Sequence, residues 1–241
     1  MEQQLGVPKL DSGSGRAQTG AVKKCLNHWD LCSKIKGMFF DTTASNTGEH
    51  SGACTLLEEA LGHDLLYLAC RHHVYEIVAE KALTAMKIAP STGPDIAIFR
   101  HFKEKWNFID QSIFETAADS IEIADFKGHI IDFSTSNLAR YHPRDDYKEL
   151  LELVIIFLGG TPARGIHILA PGALHRARWM ARIIYAFKLW MFRSQFQLKR
   201  VEETGLFQFP FISEVYIEAW FEAPSAVSAP ANDLRFLNKL S

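Results

Sequence analysis

Two short apolar runs, each flanked by polar segments, constrain this chain more than any other feature of its sequence. The first run ends in Met38-Phe39-Phe40, and the second, residues 65–69, reads Leu-Leu-Tyr-Leu-Ala. Runs of this length that are bounded by turn residues are typical of buried strands. Helical periodicity fills residues 52–61 between the runs and residues 71–86 after them. Residues 35–86 therefore predict an α/β layer of parallel strands joined by right-handed crossovers.

The composition of the 241 residues excludes several classes of protein. Hydrophobic residues make up 47% and charged residues 22%, so the chain can bury a sizeable core and is neither disordered nor collagen-like. The formal net charge is −2, which gives no overall basic field for binding nucleic acid. Four cysteines are too few for a disulfide framework, so reduced thiols are expected.

No segment predicts a membrane span or a leader peptide. The most apolar windows, residues 150–158 and 179–192, are shorter than the roughly 20 apolar residues that a spanning helix needs. The first residues, Met-Glu-Gln-Gln, lack a basic stretch followed by an apolar run. We therefore expect a soluble intracellular protein with no membrane partner.

The chain divides into three parts. Residues 1–16 are rich in Gly, Ser and polar side chains, which predicts a flexible N-terminus. Residues 17–87 form the α/β segment, which opens with a helix over 17–33. Residues 88–241 are predicted to be mainly helical after a Pro/Gly linker at 90–94, so the chain is helix-rich overall. The helices predicted there cover 95–108, 145–158, 175–196, 211–223 and 233–240, whereas 126–133 is predicted to be extended.

Asp41 is the strongest single candidate for catalysis. A carboxylate at the carboxyl end of a buried strand faces the crevice where open α/β sheets bind their ligands, and such carboxylates hold Mg²⁺ in phosphoryl transfer. The alternative is structural: Asp41 caps the turn at Thr42 and Thr43, and the polar loop around Asn46 caps the next helix. The residues alone favour capping, because one aspartate cannot hold a pair of metal ions.

The motif Cys-Arg-His-His at residues 70–73 places Cys70 and His73 three positions apart, where the second strand gives way to a helix. Zinc would need four ligands, and no second Cys/His pair stands at a finger-like spacing. Two interpretations stay open. Either His73 points toward Asp41 and contacts a phosphate or a substrate, or Cys70 is a core residue and the histidines only begin a helix.

Residues 175–179, with the sequence His-Arg-Ala-Arg-Trp, open the long apolar helix of the C-terminal part. Arg176 and Arg178 beside Trp179 are residue types that meet nucleic-acid phosphates and stack on bases. Alternatively, Trp179 anchors the helical layer and the arginines pair with acidic neighbours such as Glu149. The second interpretation is slightly favoured.

Taken in order, these motifs resemble a group of uncharacterised invertebrate proteins that look like remnants of cut-and-paste DNA transposons. More distantly, the chain is similar to the hAT-type transposases, whose catalytic domain is an RNase H-like fold interrupted by a helical insertion. The resemblance implies that residues 17–87 are a partial RNase H-like α/β segment. It also implies that residues 88–241 are an insertion-like helical region.

The resemblance assigns a role to each motif. Asp41 looks like the second catalytic carboxylate, and Asn46 belongs to the same motif. Cys70 and His73 look like a Cys-x-x-His pair. The Arg-Trp element of these transposases corresponds to Arg178 and Trp179.

The same resemblance implies that catalytic parts are missing. An RNase H-like site needs three carboxylates around two metal ions. The first is expected upstream of residue 17 and the last beyond the helical insertion, and the sequence supplies neither, so we expect a chain truncated at both ends. Without them, phosphoryl transfer loses most of its electrostatic stabilisation.

We therefore expect a transposase-derived protein that is catalytically inactive, has no bound cofactor, and retains nucleic-acid or protein binding. DNA in the nucleus is the partner that this history implies. The residues predicted to contact nucleic acid are His73, Arg176, Arg178 and Trp179.

Two rival functions stay open. One is an active metal-dependent nuclease or transposase centred on Asp41 with Mg²⁺ or Mn²⁺, which requires further carboxylates to converge on it. The candidates for this convergence are Glu58, Glu59, Asp64 and Glu76. The other is a structural or interaction domain, which predicts an exposed apolar surface where a missing strand should pair.

Overall fold

The computed structural model describes residues 4–88, 96–142, 144–172, 178–223 and 228–240. The chain divides into two compact units, Met1–Val74 and Tyr75–Ser241. This division falls within a helix rather than after residue 87, because Tyr75, Ala79 and Leu83 in the later turns of that helix are buried in the core of the second unit. The linker predicted at residues 90–94 lies outside the described residues.

The first unit contains the α/β part of the chain. Its elements in order are α1 (Gly15–His28), β1 (Gly37–Phe40), α2 (Ala44–Thr47), α3 (Ala53–Leu61), β2 (Leu66–Ala69) and the first turn of α4 (Arg71–Ala85). The two strands pair in parallel, with Gly37 opposite Leu66 and Phe40 opposite Ala69. The predicted order of strand, helix, strand and helix with parallel strands is confirmed.

Local sequence signals set the ends of these elements. Ser14 caps α1, because its hydroxyl accepts a hydrogen bond from the Ala17 amide at 3.3 Å. Gly62 ends α3 in the left-handed conformation with φ of 74°, which residues with a side chain rarely adopt. The helix end predicted at Gly62 is therefore confirmed.

The sheet is packed on one side only. Leu26 of α1, Leu57 of α3 and Leu65 are buried together, and Met38 of β1 packs against them. The prediction that both strands are buried is wrong: every residue of β2 is exposed, and β1 alternates between exposed and half-buried residues. The short apolar runs do form strands here, but helices cover only one face of the sheet.

The second unit is helical, with no strand among its described residues. After α4 its elements are α5 (Ala97–Lys105), α6 (Lys127–Leu138), α7 (Asp145–Phe157), α8 (Arg178–Met191), α9 (Arg200–Phe221) and α10 (Ala229–Leu240), with 3₁₀ turns at Trp106–Phe108 and Ile121–Ile123. The prediction of a helix-rich chain is confirmed.

The extended conformation predicted for residues 126–133 is wrong, because these residues begin α6. The pair Ile130-Ile131 favours a strand by local preference. Ile130, Ser134 and Asn137 are nevertheless buried together at helical spacing on the face of α6 that packs in the unit. Tertiary packing therefore overrides the local preference.

Helix α8 forms the centre of the helical core, as its all-round apolar character predicts. Every residue from 179 to 192 is buried, and residues 150–158 in and after α7 are buried as well. None of the helices in the described parts of the chain is both long enough and apolar enough to cross a membrane.

One lysine is enclosed completely in this core. Lys188 of α8 has no exposed surface, pairs with Glu149 of α7 and donates to the Leu169 carbonyl at 2.7 Å. Its ammonium also lies 5.9 Å from the centre of the Trp106 ring. Burial lowers the pKa of Lys188, and the charge of Glu149 opposes this shift. Removing either partner alone would leave the other charge without its partner inside the protein.

Gly15 occupies a position where no side chain fits. A Cβ there would lie 2.1 Å from the Ser51 carbonyl oxygen and 2.8 Å from the Ser45 carbonyl oxygen. We expect Gly15→Ala to push α1 away from α3 and to cost about 1–3 kcal/mol, measured as a lower midpoint of thermal unfolding. The matched control is Gly20→Ala on the same helix, where a Cβ meets nothing within 4 Å; it should stabilise by about 0.5–1 kcal/mol. Equal midpoints for the two variants would contradict this account.

Candidate functional site

The carboxyl ends of the two strands bring four predicted motif residues to one edge of the sheet. Asp41 follows β1 and Cys70 follows β2, and the Cys70 amide donates to the Phe40 carbonyl at 2.6 Å. Asn46 of α2 donates through Nδ2 to the Asp41 side chain at 2.8 Å and to its carbonyl at 3.1 Å. His73, in the first turn of α4, interacts electrostatically with the Asp41 carboxylate.

Hydrogen-bond donors converge on one oxygen of Asp41. Its Oδ1 accepts from the Thr43 hydroxyl at 2.6 Å, from the Thr43 amide at 3.1 Å and from Asn46. The Thr43 hydroxyl above all, with its amide, Asn46 and the charge of His73, holds the pKa of Asp41 below its usual range, although partial burial acts in the other direction. Asp41 therefore stays ionised at neutral pH and is a weak general base.

Among the residues that the structure describes, no second carboxylate joins Asp41 to form a metal site. Glu58, one candidate for it, accepts at 2.7 Å from the Leu65 amide and at 2.7 Å from the Tyr67 hydroxyl. Leu65 immediately precedes β2, so Glu58 bonds to the amino end of that strand, whereas Asp41 lies at the carboxyl edge of the sheet. Another candidate, Glu76, lies 3.9 Å from Arg182.

Across the described part of the chain, no three His, Cys, Asp or Glu side chains are grouped so that they could hold a metal ion. Asp41 offers a single carboxylate whose Oδ1 already accepts three hydrogen bonds. The residues at this edge therefore do not fit a pair of Mg²⁺ or Mn²⁺ ions, which require several converging oxygen ligands. The turn-capping interpretation of Asp41 describes the geometry instead.

Of the residues predicted to contact nucleic acid at the start of α8, Trp179 is the one whose side chain the structure describes, and it is buried. Trp179 is 1% exposed, and its ring lies 5.4 Å from that of Tyr75 and 5.1 Å from that of Trp220. A buried indole offers no free face to a nucleobase, so Trp179 anchors the helical core. Arg176 lies outside the described residues, and so does the side chain of Arg178.

Two cations in and just after α8 are also paired with acidic side chains. Lys188 is paired with Glu149, and Arg193 pairs with Glu115 and lies 3.3 Å from Glu203. These cations are compensated within the unit. They contribute to packing and leave little charge for a polyanion.

The sheet carries a feature that the motifs did not indicate. In a parallel ladder, opposite residues project to the same side, so the pairs Gly37–Leu66 and Phe39–Leu68 share one face. On that face Phe39 is 66% exposed, Leu66 68% and Leu68 40%. We call these residues the open face of the sheet. Parallel sheets are almost always covered on both sides, so an open apolar face of this kind is a candidate interface.

Comparison with protein-family models, with curated proteins and with solved structures gives no match to this chain. Its function must therefore be argued from its own geometry. Two features bear on that argument: the hydrogen-bonded aspartate at the carboxyl edge and the open face of the sheet. Apolar residues stand on both faces of β1 and β2, so no residue pattern pointed to the open face, and only the position of the covering helices tells which side is left bare.

The role of Asp41 as a cap can be measured through pH. Asp41→Ala removes the acceptor of the Thr43 and Asn46 donors, so it should lower stability at pH 7 by about 1 kcal/mol. Because the pKa of Asp41 is lower in the folded chain, its stabilisation is complete above the unfolded pKa of about 3.9 and is lost as the pH falls through the folded value. We expect the difference in thermal midpoint between wild type and variant to shrink from pH 7 to pH 3.

The control for this prediction is Asp64→Ala, which removes an exposed carboxylate at the other edge of the sheet. It should change the midpoint little at either pH. A difference between wild type and Asp41→Ala that stays constant with pH would show that the carboxylate charge has no part in the cap.

Proposed function

We propose that this chain is a transposon-derived binding domain, of partial RNase H-like α/β character, that holds a partner protein and does not transfer phosphoryl groups. The observation that carries the proposal is the open face formed by Phe39, Leu66 and Leu68. An interaction domain calls for such a surface. The motif order around Asp41 and Cys70 supports the transposon ancestry. The hydrogen bonds at Asp41 argue against metal-dependent phosphoryl transfer.

The open face suits one amphipathic helix of the partner. Two strands of four residues present a surface about 13 Å long and 10 Å wide, which matches the width of a helix and about nine residues of its length. On the opposite face, helices of this chain already cover the sheet in the same way. The partner helix should place apolar residues at positions i, i+3 or i+4, and i+7 against Phe39, Leu66 and Leu68.

A second copy of the chain suits the face less well. Stable interfaces bury about 800 Å² on each partner. Three side chains supply at most about 500 Å² even when they become fully buried. The face alone is therefore too small for a stable dimer, and one partner helix packed on it forms a small interface of the transient kind.

Cleavage of DNA tests the loss of chemistry. We expect wild type and Asp41→Ala to nick supercoiled DNA at the same background rate with Mg²⁺ or Mn²⁺, because one hydrogen-bonded carboxylate cannot hold two metal ions. Gel electrophoresis of the plasmid measures the rate. Metal-dependent nicking by wild type that Asp41→Ala abolishes would restore the nuclease alternative.

Photo-crosslinking tests the open face. A benzoyl-phenylalanine placed at position 39 should join the chain to one partner protein in the cells that express it, at a segment with amphipathic helical periodicity. The same group at Phe108, which is 87% exposed elsewhere, is the matched control and should not give this product.

The crosslinked segment is then synthesised and titrated against the purified chain. We expect Leu66→Asp to weaken binding of this peptide at least tenfold without lowering the thermal midpoint, because Leu66 is already exposed to water in the free chain. A product of twice the chain's mass would point to self-association instead. Equal binding of the peptide by wild type and Leu66→Asp would contradict the proposed helix site.

A further inference from the structure

A groove of about 720 Å³ runs beside α1, between that helix and residues 6–11. The helix lines it with a row of residues spaced four apart, which places them on successive turns of one face: Arg16, Gly20, Lys24 and His28. Between this row and residues 6–11, the small side chains of Ala17 and Ala21 form the floor. None of these residues belongs to the open face of the sheet.

The opposite wall is an extended segment fixed at both ends. The Trp29 indole donates to the Leu5 carbonyl at 2.9 Å, and the Gln18 side chain donates to the Gly13 carbonyl at 3.0 Å. These two hydrogen bonds tie both ends of the segment that contains residues 6–11 to Trp29 and to Gln18 of α1. The sequence had predicted this region only as a flexible N-terminus.

The groove has an excess of positive charge. Lys9 of the extended segment and Arg16 and Lys24 of α1 line it, against the single carboxylate of Asp11. Within the described residues, none of the three cations forms an ion pair. Uncompensated like charges along one groove raise its potential and favour an anionic ligand.

We infer that this groove binds the phosphodiester backbone of a single nucleic-acid strand. Arg16 and Lys24 are eight residues apart, about 12 Å along the helix axis, so they can meet two separate phosphates of one strand. Cations set in a row match a row of phosphates, whereas a single phosphate group calls for cations that converge. Binding of a duplex is a separate outcome that the experiment below distinguishes.

Fluorescence anisotropy of a labelled 12-nucleotide oligothymidine tests this inference. We expect the double variant Arg16→Gln/Lys24→Gln to bind at least tenfold more weakly than wild type. The slope of log affinity against log salt should fall in magnitude by about 1.4, since two phosphate contacts are lost. The matched control is Lys103→Gln/Lys105→Gln on α5, which makes the same charge change outside the groove and should stay within twofold of wild type.

A second variant blocks the groove without touching its charge. At Gly20 a Cβ meets nothing within 4 Å, so Gly20→Leu should fill the groove while α1 keeps or gains stability. We expect it to abolish oligothymidine binding with an undiminished thermal midpoint. The inference is overturned by wild-type binding in the Gly20→Leu variant, by equal losses in the two double variants, by a duplex that binds as tightly as the single strand, or by no binding of wild type at about 50 mM salt.

Discussion

A parallel pair of strands cannot be stable in isolation, and the first unit is organised around that constraint. Parallel strands need a connection long enough to return the chain to the same edge, and they need apolar cover. Helix α3 supplies the connection, and α1 with α3 supplies cover through Leu26 and Leu57. Only one side is satisfied in this way. The remaining side keeps Phe39 and Leu66 in water, which costs free energy until something packs there.

The carboxyl edge of the same sheet combines residues typical of a ligand site with the hydrogen bonds of a turn. Asp41, Asn46 and His73 meet where open α/β sheets usually bind ligands. A catalytic carboxylate at such an edge would keep its oxygens available to metal ions. Here Thr43 and Asn46 use Oδ1 for a turn. The edge therefore resembles a catalytic one in its residues and a structural one in its bonding.

The sequence was informative where a local signal and the tertiary environment agree. Ser14, Gly62 and the all-round apolar pattern of α8 set the ends or the burial of their helices. It failed where the environment decides. The strand preference of Ile130 yields to packing, and the helix predicted over 211–223 begins instead at Arg200.

The candidate site followed the same division. The sequence left open whether His73 faces Asp41, and in the structure the charge of His73 helps to lower the pKa of that carboxylate. The sequence could not show that Trp179 is buried, because a tryptophan beside arginines occurs both in protein cores and on surfaces that bind nucleic acid. The open face of the sheet and the groove beside α1 depend on what lies next to them in space. No residue pattern within one strand or one helix contains that information.

The enclosed amine of Lys188 has a practical consequence. Reagents that acylate primary amines reach surface lysines directly, whereas this nitrogen has no exposed surface and is held by Glu149 and the Leu169 carbonyl. Acylation at this position requires the helices around it to separate first. The rate of this modification, measured by mass spectrometry, therefore reports how often the helical core opens. No added label is needed.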